Sequence, residues 1–402
     1  MHDPSRVRFT GPLEPYAEGF RAELARQGYT AISATGQLRL AAHASRWMAT
    51  RGRGVSALTP EVVDDFLRER RRAGYWQLRS AKAMAPLLGY LRGLGVVSAA
   101  ERAPTPVEAL LERYRAYLIT ERGLAASSAA GYLDAVRPFL AGHARPGGML
   151  DLIELTPGEI TAFVLAECAR RRRGSAKLMA TALRSLLGFL HVAGLVARPL
   201  ASAVPSVASW RLSGLPRALG PGEVRRLLAS CDRTRPAGLR DLAILTMLVR
   251  LGLRAGELAA LDLDDIDWRA GEIVIRGKGD RHERLPLPAD VGAAHASYLR
   301  RGRPAAPECR RLFLRARAPR HGLTSAGVSQ VVVGASRRAG LSPIAAHRLR
   351  HTAACQMLRA GASLSEIGQL LRHRSALTTA IYAKVDRDAL RACARPWPGS
   401  AP

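Results

Sequence analysis

Five short stretches near the C-terminal end gather side chains that bind anions, carry protons or act as nucleophiles. They are Gly252-Leu-Arg254-Ala-Gly-Glu257-Leu, Gly277-Lys278-Gly279, His347-Arg-Leu-Arg350-His351, Leu371-Arg372-His373 and Thr378-Thr-Ala-Ile-Tyr382. A guanidinium grips anionic oxygens with paired N–H donors and keeps its charge. Lysine, unlike arginine, can surrender a proton once its pKa is depressed. This chain carries only four lysines (Lys82, Lys177, Lys278, Lys384) among 61 basic residues, so a lysine between two glycines is informative. A phenol, with a pKa of about 10, attacks at neutral pH only beside positive charge and a proton acceptor. Tyr382 and Tyr298 are the two tyrosines beyond residue 205. His347 and Arg350, three apart on an expected helix, share a face, and Glu257 stands where it can hold Arg254.

Taken singly, each stretch has an ordinary reading. Lys278 also fits a solvated hairpin tip, and the Gly-x-x-x-x-Gly-Lys-Ser/Thr pattern of a nucleotide-binding loop is absent. His347 and His351, four apart, suit a metal pair, but the Glu of His-Glu-x-x-His is missing and no third ligand is evident. A lone tyrosine most often packs its ring into a core.

The elements that must position these residues follow from local pattern. Residues 239–251 form an apolar helix that Gly252 stops. Residues 272–276 and 283–287 read as two strands around a Gly-Lys-Gly-Asp-Arg turn, with a further strand expected at 312–314. Helices are expected at about 324–339, 345–359 and 363–372, the last opening with a Ser363…Glu366 capping box.

Composition bounds the class. A chain of 402 residues exceeds one typical core, so two or three domains are expected. Its 48% apolar content suits a globular protein, and no apolar run reaches the roughly 20 residues of a membrane span. Five scattered cysteines without a Cys-x-x-Cys pair, and a start without a signal-peptide layout, suit the cytoplasm, where association with the nucleoid is expected. The 61 Lys and Arg against 33 Asp and Glu leave a net charge of +28, which favours a polyanionic partner through counterion release. A membrane surface or an acidic protein fits that charge as well.

Two Pro-containing joints, at 101–106 and 205–216, divide the chain. The first two segments resemble each other. Leu58-Thr59-Pro60 matches Leu155-Thr156-Pro157, Ser80-Ala81-Lys82 matches Ser175-Ala176-Lys177, and Gly89-Tyr90-Leu91 matches Gly188-Phe189-Leu190, at offsets of 97, 95 and 99 residues. Both segments show helical apolar spacing, and a duplicated all-helical module is expected. The basic runs after each Thr-Pro are either solvated faces or phosphate contacts, with Lys82 and Lys177 as matched candidates.

With these residues in place, roughly 217–390 resembles the catalytic domain of the tyrosine recombinase (phage integrase) family, and the segment before it that family's helical core-binding domain. The resemblance implies a mainly α protein with a small antiparallel β-sheet. Its parts are an N-terminal helical DNA-binding module at 1–103, a core-binding domain at 107–205 and a mixed α/β catalytic domain at 217–395. It implies site-specific cutting and rejoining of double-stranded DNA without cofactor, metal or ATP: Tyr382 attacks phosphorus, a 3′-phosphotyrosine forms and a 5′-hydroxyl leaves. Arg254 and Arg350 would clamp the non-bridging oxygens, with Glu257 supporting Arg254. Lys278 would protonate the leaving oxygen, His347 would serve the tyrosine hydroxyl as acid/base, and His373 would donate to the phosphate. A homotetramer on two duplexes, with or without accessory DNA-binding proteins, is the expected working form, as in a mobile element's integrase. Relaxation of the type IB topoisomerase kind and a catalytically silent DNA-binding regulator are the alternatives. The chain departs from the family pattern at Arg372, where a glycine is usual, and at Ala383-Lys384 after the tyrosine. Arg372 either crowds its turn or adds a phosphate contact.

Overall fold

Thr-Pro pairs start three of the helices. The Thr59, Thr105 and Thr156 hydroxyls each accept a backbone N–H from the following turn, and Glu108 and Glu159 reach back to complete capping boxes. Proline at the first helical position loses nothing, because its missing N–H had no partner there. The computed structural model describes residues 3–98, 105–145, 150–152, 154–208, 215–277, 282–306, 308–373, 375–385 and 390–391. By packing, the chain divides into two units, one of residues 1–98 with 214–402 and the other of residues 99–213.

The first part of the larger unit holds helices α1 (Ala17–Arg26), α2 (Ala31–Ala49), α3 (Pro60–Arg72) and α4 (Ala81–Gly93). They close on a core that includes Phe20, Leu38, Met48, Phe66 and Leu91. The smaller unit also has four helices, α5 (Pro106–Thr120), α6 (Ala126–Gly142), α7 (Pro157–Arg170) and α8 (Arg173–Val192). Its own core includes Tyr114, Phe139, Ile160, Leu183 and Leu190.

From 215 onward the larger unit is built around α10 (Pro236–Arg250), whose Ala243 to Leu248 run is wholly buried. Helices α9 (Pro221–Ala229), α12 (Ala289–Arg301), α13 (Ser325–Arg338) and α14 (Ala346–Arg359) pack on it, and the short α11 (Ala255–Ala259) follows Gly252. A three-stranded antiparallel sheet runs β1 (Ile266–Asp267), β2 (Glu272–Arg276), β3 (His282–Pro286), with Ile273 facing Leu285 and Arg276 facing His282. Arg276 anchors the hairpin's far end through Asp262 at 2.8 Å and Asp265 at 2.7 Å. The strand expected at 312–314 does not form. Leu312, Phe313 and Leu314 are all buried, so the alternation of a half-buried strand is lost, and the chain makes single bridges at Arg311 and Leu314 instead. Helices α15 (Leu364–Leu370) and α16 (Ala376–Thr379) and a 3-10 turn, Ala380–Val385, follow. Among the described residues no helix is long and apolar enough to cross a membrane.

Candidate active site

Gly252 ends the line of α10 in the left-handed region, at φ 59°, and a Cβ there would lie 2.5 Å from a Leu371 methyl. That tight approach lets its carbonyl oxygen meet the deeply buried Arg350 of α14, whose Nη1 donates to it at 2.7 Å. The other Arg350 terminal nitrogen donates to the Leu371 carbonyl. One guanidinium thus ties the end of α10 to the end of α15. Burial, then the neighbouring Arg254, depresses Arg350 to about 10.

Arg254 caps α11 and is half-exposed. Its Nη1 donates to Glu257 at 2.5 Å, and the Arg254 backbone N–H donates to the same carboxylate at 2.9 Å. Glu257 is buried and also receives Arg372 at 2.8 Å. Burial alone would raise the Glu257 carboxyl, but Arg372 and then Arg254 outweigh it and hold the carboxyl below its ordinary range. Arg372 sits at φ 55°, where glycine would be unstrained, and its side chain is only 4% exposed. A phosphate contact from Arg372 would require its guanidinium to leave Glu257.

Tyr382 lies in the 3-10 turn, 2% exposed, in a small apolar cluster with Ala354, Cys355, Ile367 and Leu371. Burial pushes its phenol up to about 12, with Arg350 pulling the other way. Its hydroxyl is 3.0 Å from His351 Nδ1. The His351 ring meets the His347 ring edge-on at 4.6 Å, one turn back along α14. His373 lies nearly parallel to the Tyr382 ring at 6.4 Å, and its Nδ1 pairs with the Thr379 hydroxyl at 2.7 Å. Desolvation and positive neighbours lower all three imidazoles. Arg350 and Arg254 act on His347, His347 and Arg350 act on His351, and Arg350 and Arg254 help drive His373 to about 4.

The structure therefore brings Arg254, Glu257, His347, Arg350, Arg372, His373 and Tyr382 into one cluster, held by α10, α11, α14 and α15. Lys278 lies outside the described residues. The two strands that flank it are in place, and Arg276 and His282 form the last described pair before its loop. Lys82 and Lys177 are exposed near the starts of α4 and α8, away from this cluster in sequence. The reading of the residues missed His351 as the partner of the tyrosine hydroxyl, and Thr379 as the partner of His373. The four-residue spacing of His347 and His351 signalled a shared face, but it suggested a metal pair. Among the described residues no group of three His, Cys, Asp or Glu is placed to hold a metal ion.

Cations outnumber carboxylates here, and neutral imidazoles surround a buried phenol. Such a site is suited to receive an anionic oxygen cluster beside a nucleophile. Comparison with known proteins agrees. Residues 217–388 match the phage integrase family model. A putative integrase/recombinase of Sinorhizobium fredii, y4rA, is 42% identical over 97% of this chain and 96% of its own length. Tyrosine recombinase XerD of Listeria monocytogenes is 33% identical over 69% of this chain and 94% of its own. In fold, the site-specific recombinase XerH, solved on palindromic difH substrate after cleavage, superposes with a TM-score of 0.54 over 73% of this chain and 97% of its own, at 19% identity. The chain belongs to the tyrosine recombinase family, whose members cut and rejoin DNA strands.

Proposed function

We propose that this protein is a site-specific recombinase of double-stranded DNA that works through a phosphotyrosine at Tyr382, with no metal or ATP. The observation that carries this reading is the buried Tyr382 hydroxyl in a cluster that holds Arg254 and Arg350, where burial, and Arg350 with it, depresses all three neighbouring imidazoles. Such unbalanced positive charge is relieved by a bound phosphodiester, and it stabilises the charge that gathers on the phosphate oxygens during attack. Arg254 and Arg350 grip those oxygens, Glu257 orients Arg254, and His347 and His373 contribute proton transfer and hydrogen bonding. Lys278, between β2 and β3 in sequence, supplies the leaving oxygen with its proton. Oxygen exchange at phosphorus conserves the bond energy, so the same groups run the reaction in reverse on a new 5′-hydroxyl.

Three modules serve the reading, at 1–103, 107–205 and 217–395. The two four-helix modules would add phosphate contacts at Lys82 and Lys177 and lengthen the recognised site. A homotetramer on two duplexes in the cytoplasm, at the nucleoid, is the proposed working form, and accessory DNA-binding proteins would set the direction of exchange. The test is a plasmid carrying two copies of DNA taken from beside the protein's gene. Inverted or excised products support recombination. Relaxed circles without recombinants would indicate topoisomerase action instead, and an unchanged plasmid under tight binding would indicate a regulator.

A further inference from the structure

We infer that His351, not His347, is the group that takes the phenolic proton when Tyr382 attacks. The inference rests on the phosphotyrosine reading and deepens it. Tyr382 is too buried for bulk water to accept that proton, and the polar group at its oxygen is His351 Nδ1, 3.0 Å away. His351 is fixed on the same helix as Arg350, so phosphate grip and proton acceptor move as one body. With its own proton on Nε2, the imidazole accepts the tyrosine O–H at Nδ1. His347 lies one turn further back and is exposed, with its ring edge on His351, which suits it to the phosphate and to proton exchange with solvent.

The step balances. The Tyr382 O–H bond breaks towards His351 while the oxygen–phosphorus bond forms. The bond to the 5′-oxygen breaks, and that oxygen takes a proton from a different group. Rejoining reverses each transfer. The charged and titratable groups around His351 are His347, Arg350 and Cys355 from α14, Tyr382 from the 3-10 turn, His373 and Arg372 from the turn after α15, and Arg254 from the start of α11. Burial, then His347 and Arg350, lowers the His351 imidazole, so it stays neutral and ready to accept. A bound phosphodiester offsets the positive charge of these groups and makes the resulting imidazolium tolerable, so the acceptor strengthens when DNA is present.

The test uses full-length protein and nicked suicide duplexes tiled along the DNA that flanks its gene, taking the duplex on which wild-type protein forms a Tyr382-dependent adduct. Single-turnover rates across pH are compared for His351→Asn, His351→Leu and His347→Asn. Asparagine keeps a hydrogen-bonding group near the Nδ1 position but takes no proton at neutral pH. His351→Asn is expected to slow adduct formation by about 10²-fold or more, the usual contribution of a positioned base, while duplex affinity holds. Its acid limb should flatten, and the defect should persist on a duplex with a sulfur leaving atom, which needs no acid. His351→Asn cleaving at the wild-type rate with an unchanged pH profile, whatever the behaviour of His351→Leu, would overturn the inference. A wild-type protein that forms no Tyr382-dependent adduct on any duplex would overturn the parent reading, and this inference with it.

Discussion

Replacing Glu257 with glutamine should unsettle the candidate active-site cluster from beneath. Glu257 holds two guanidinium groups, Arg254 at 2.5 Å and Arg372 at 2.8 Å, and Arg372 is almost fully enclosed with its Nε lacking a partner. Glutamine retains one acceptor and turns an amide donor towards a cation. Removing one partner of a buried ion pair costs about 3–5 kcal/mol, because the remaining charge stays buried without its counter-ion. Spread over a urea slope of roughly 2 kcal/mol per molar, that is a fall in midpoint of about 1.5–2.5 M, read by circular dichroism. Arg372→Gly on top of Glu257→Gln should restore much of the loss. It deletes the stranded charge and releases a left-handed backbone that costs a non-glycine residue about 1–2 kcal/mol. The pH dependence has a definite sign. The folded Glu257 carboxyl sits below its ordinary 4.5, so the wild-type advantage over Glu257→Gln is complete above that pH and fades as pH falls through the folded value. Glu257→Gln as stable as wild type at pH 7, or a double variant no better than the single one, would refute the coupling of Glu257 to Arg372.

Arg350→Lys should lower cleavage by about 10²–10³-fold, the typical cost of one lost transition-state donor. It should also loosen the fold, because lysine cannot reach both the Gly252 and Leu371 carbonyls, so thermal melting should be followed beside single-turnover cleavage. Lys82→Ala and Lys177→Ala should each weaken binding to any duplex evenly and reduce the salt slope of binding by about 0.9, as measured by fluorescence anisotropy across salt concentrations. A change confined to one DNA sequence would place these lysines at bases and not at phosphates.

Much of this was legible from residue types. Gly252 with Arg254, His347 with Arg350, and Tyr382 announce themselves because their chemistry demands those side chains and their spacing puts them on helix ends or one helix face. Periodicity also located the helices at the expected places, since each buries one apolar stripe. Tertiary pairing was not legible. Arg372 reads as a spare cation in the sequence, and only the fold turns it inward onto Glu257, 115 residues earlier in the chain. His351 reads as half of a metal pair, because spacing reports the face a residue occupies but not what lies opposite. Leu312 to Leu314 has the composition of a strand, yet all three side chains are enclosed and the stretch makes only single bridges, at Arg311 and Leu314.

The most direct measurement is covalent trapping followed by mapping of the attachment site. Full-length protein is incubated with nicked suicide duplexes from the DNA beside its gene, the complex is resolved on a denaturing gel, and the DNA-bearing peptide is identified by mass spectrometry. The account expects a slowed band whose peptide carries the 3′-phosphate on Tyr382, and no such band from Tyr382→Phe despite equal DNA binding. An adduct that survives Tyr382→Phe, or one that maps to Tyr298 or another residue, would contradict it.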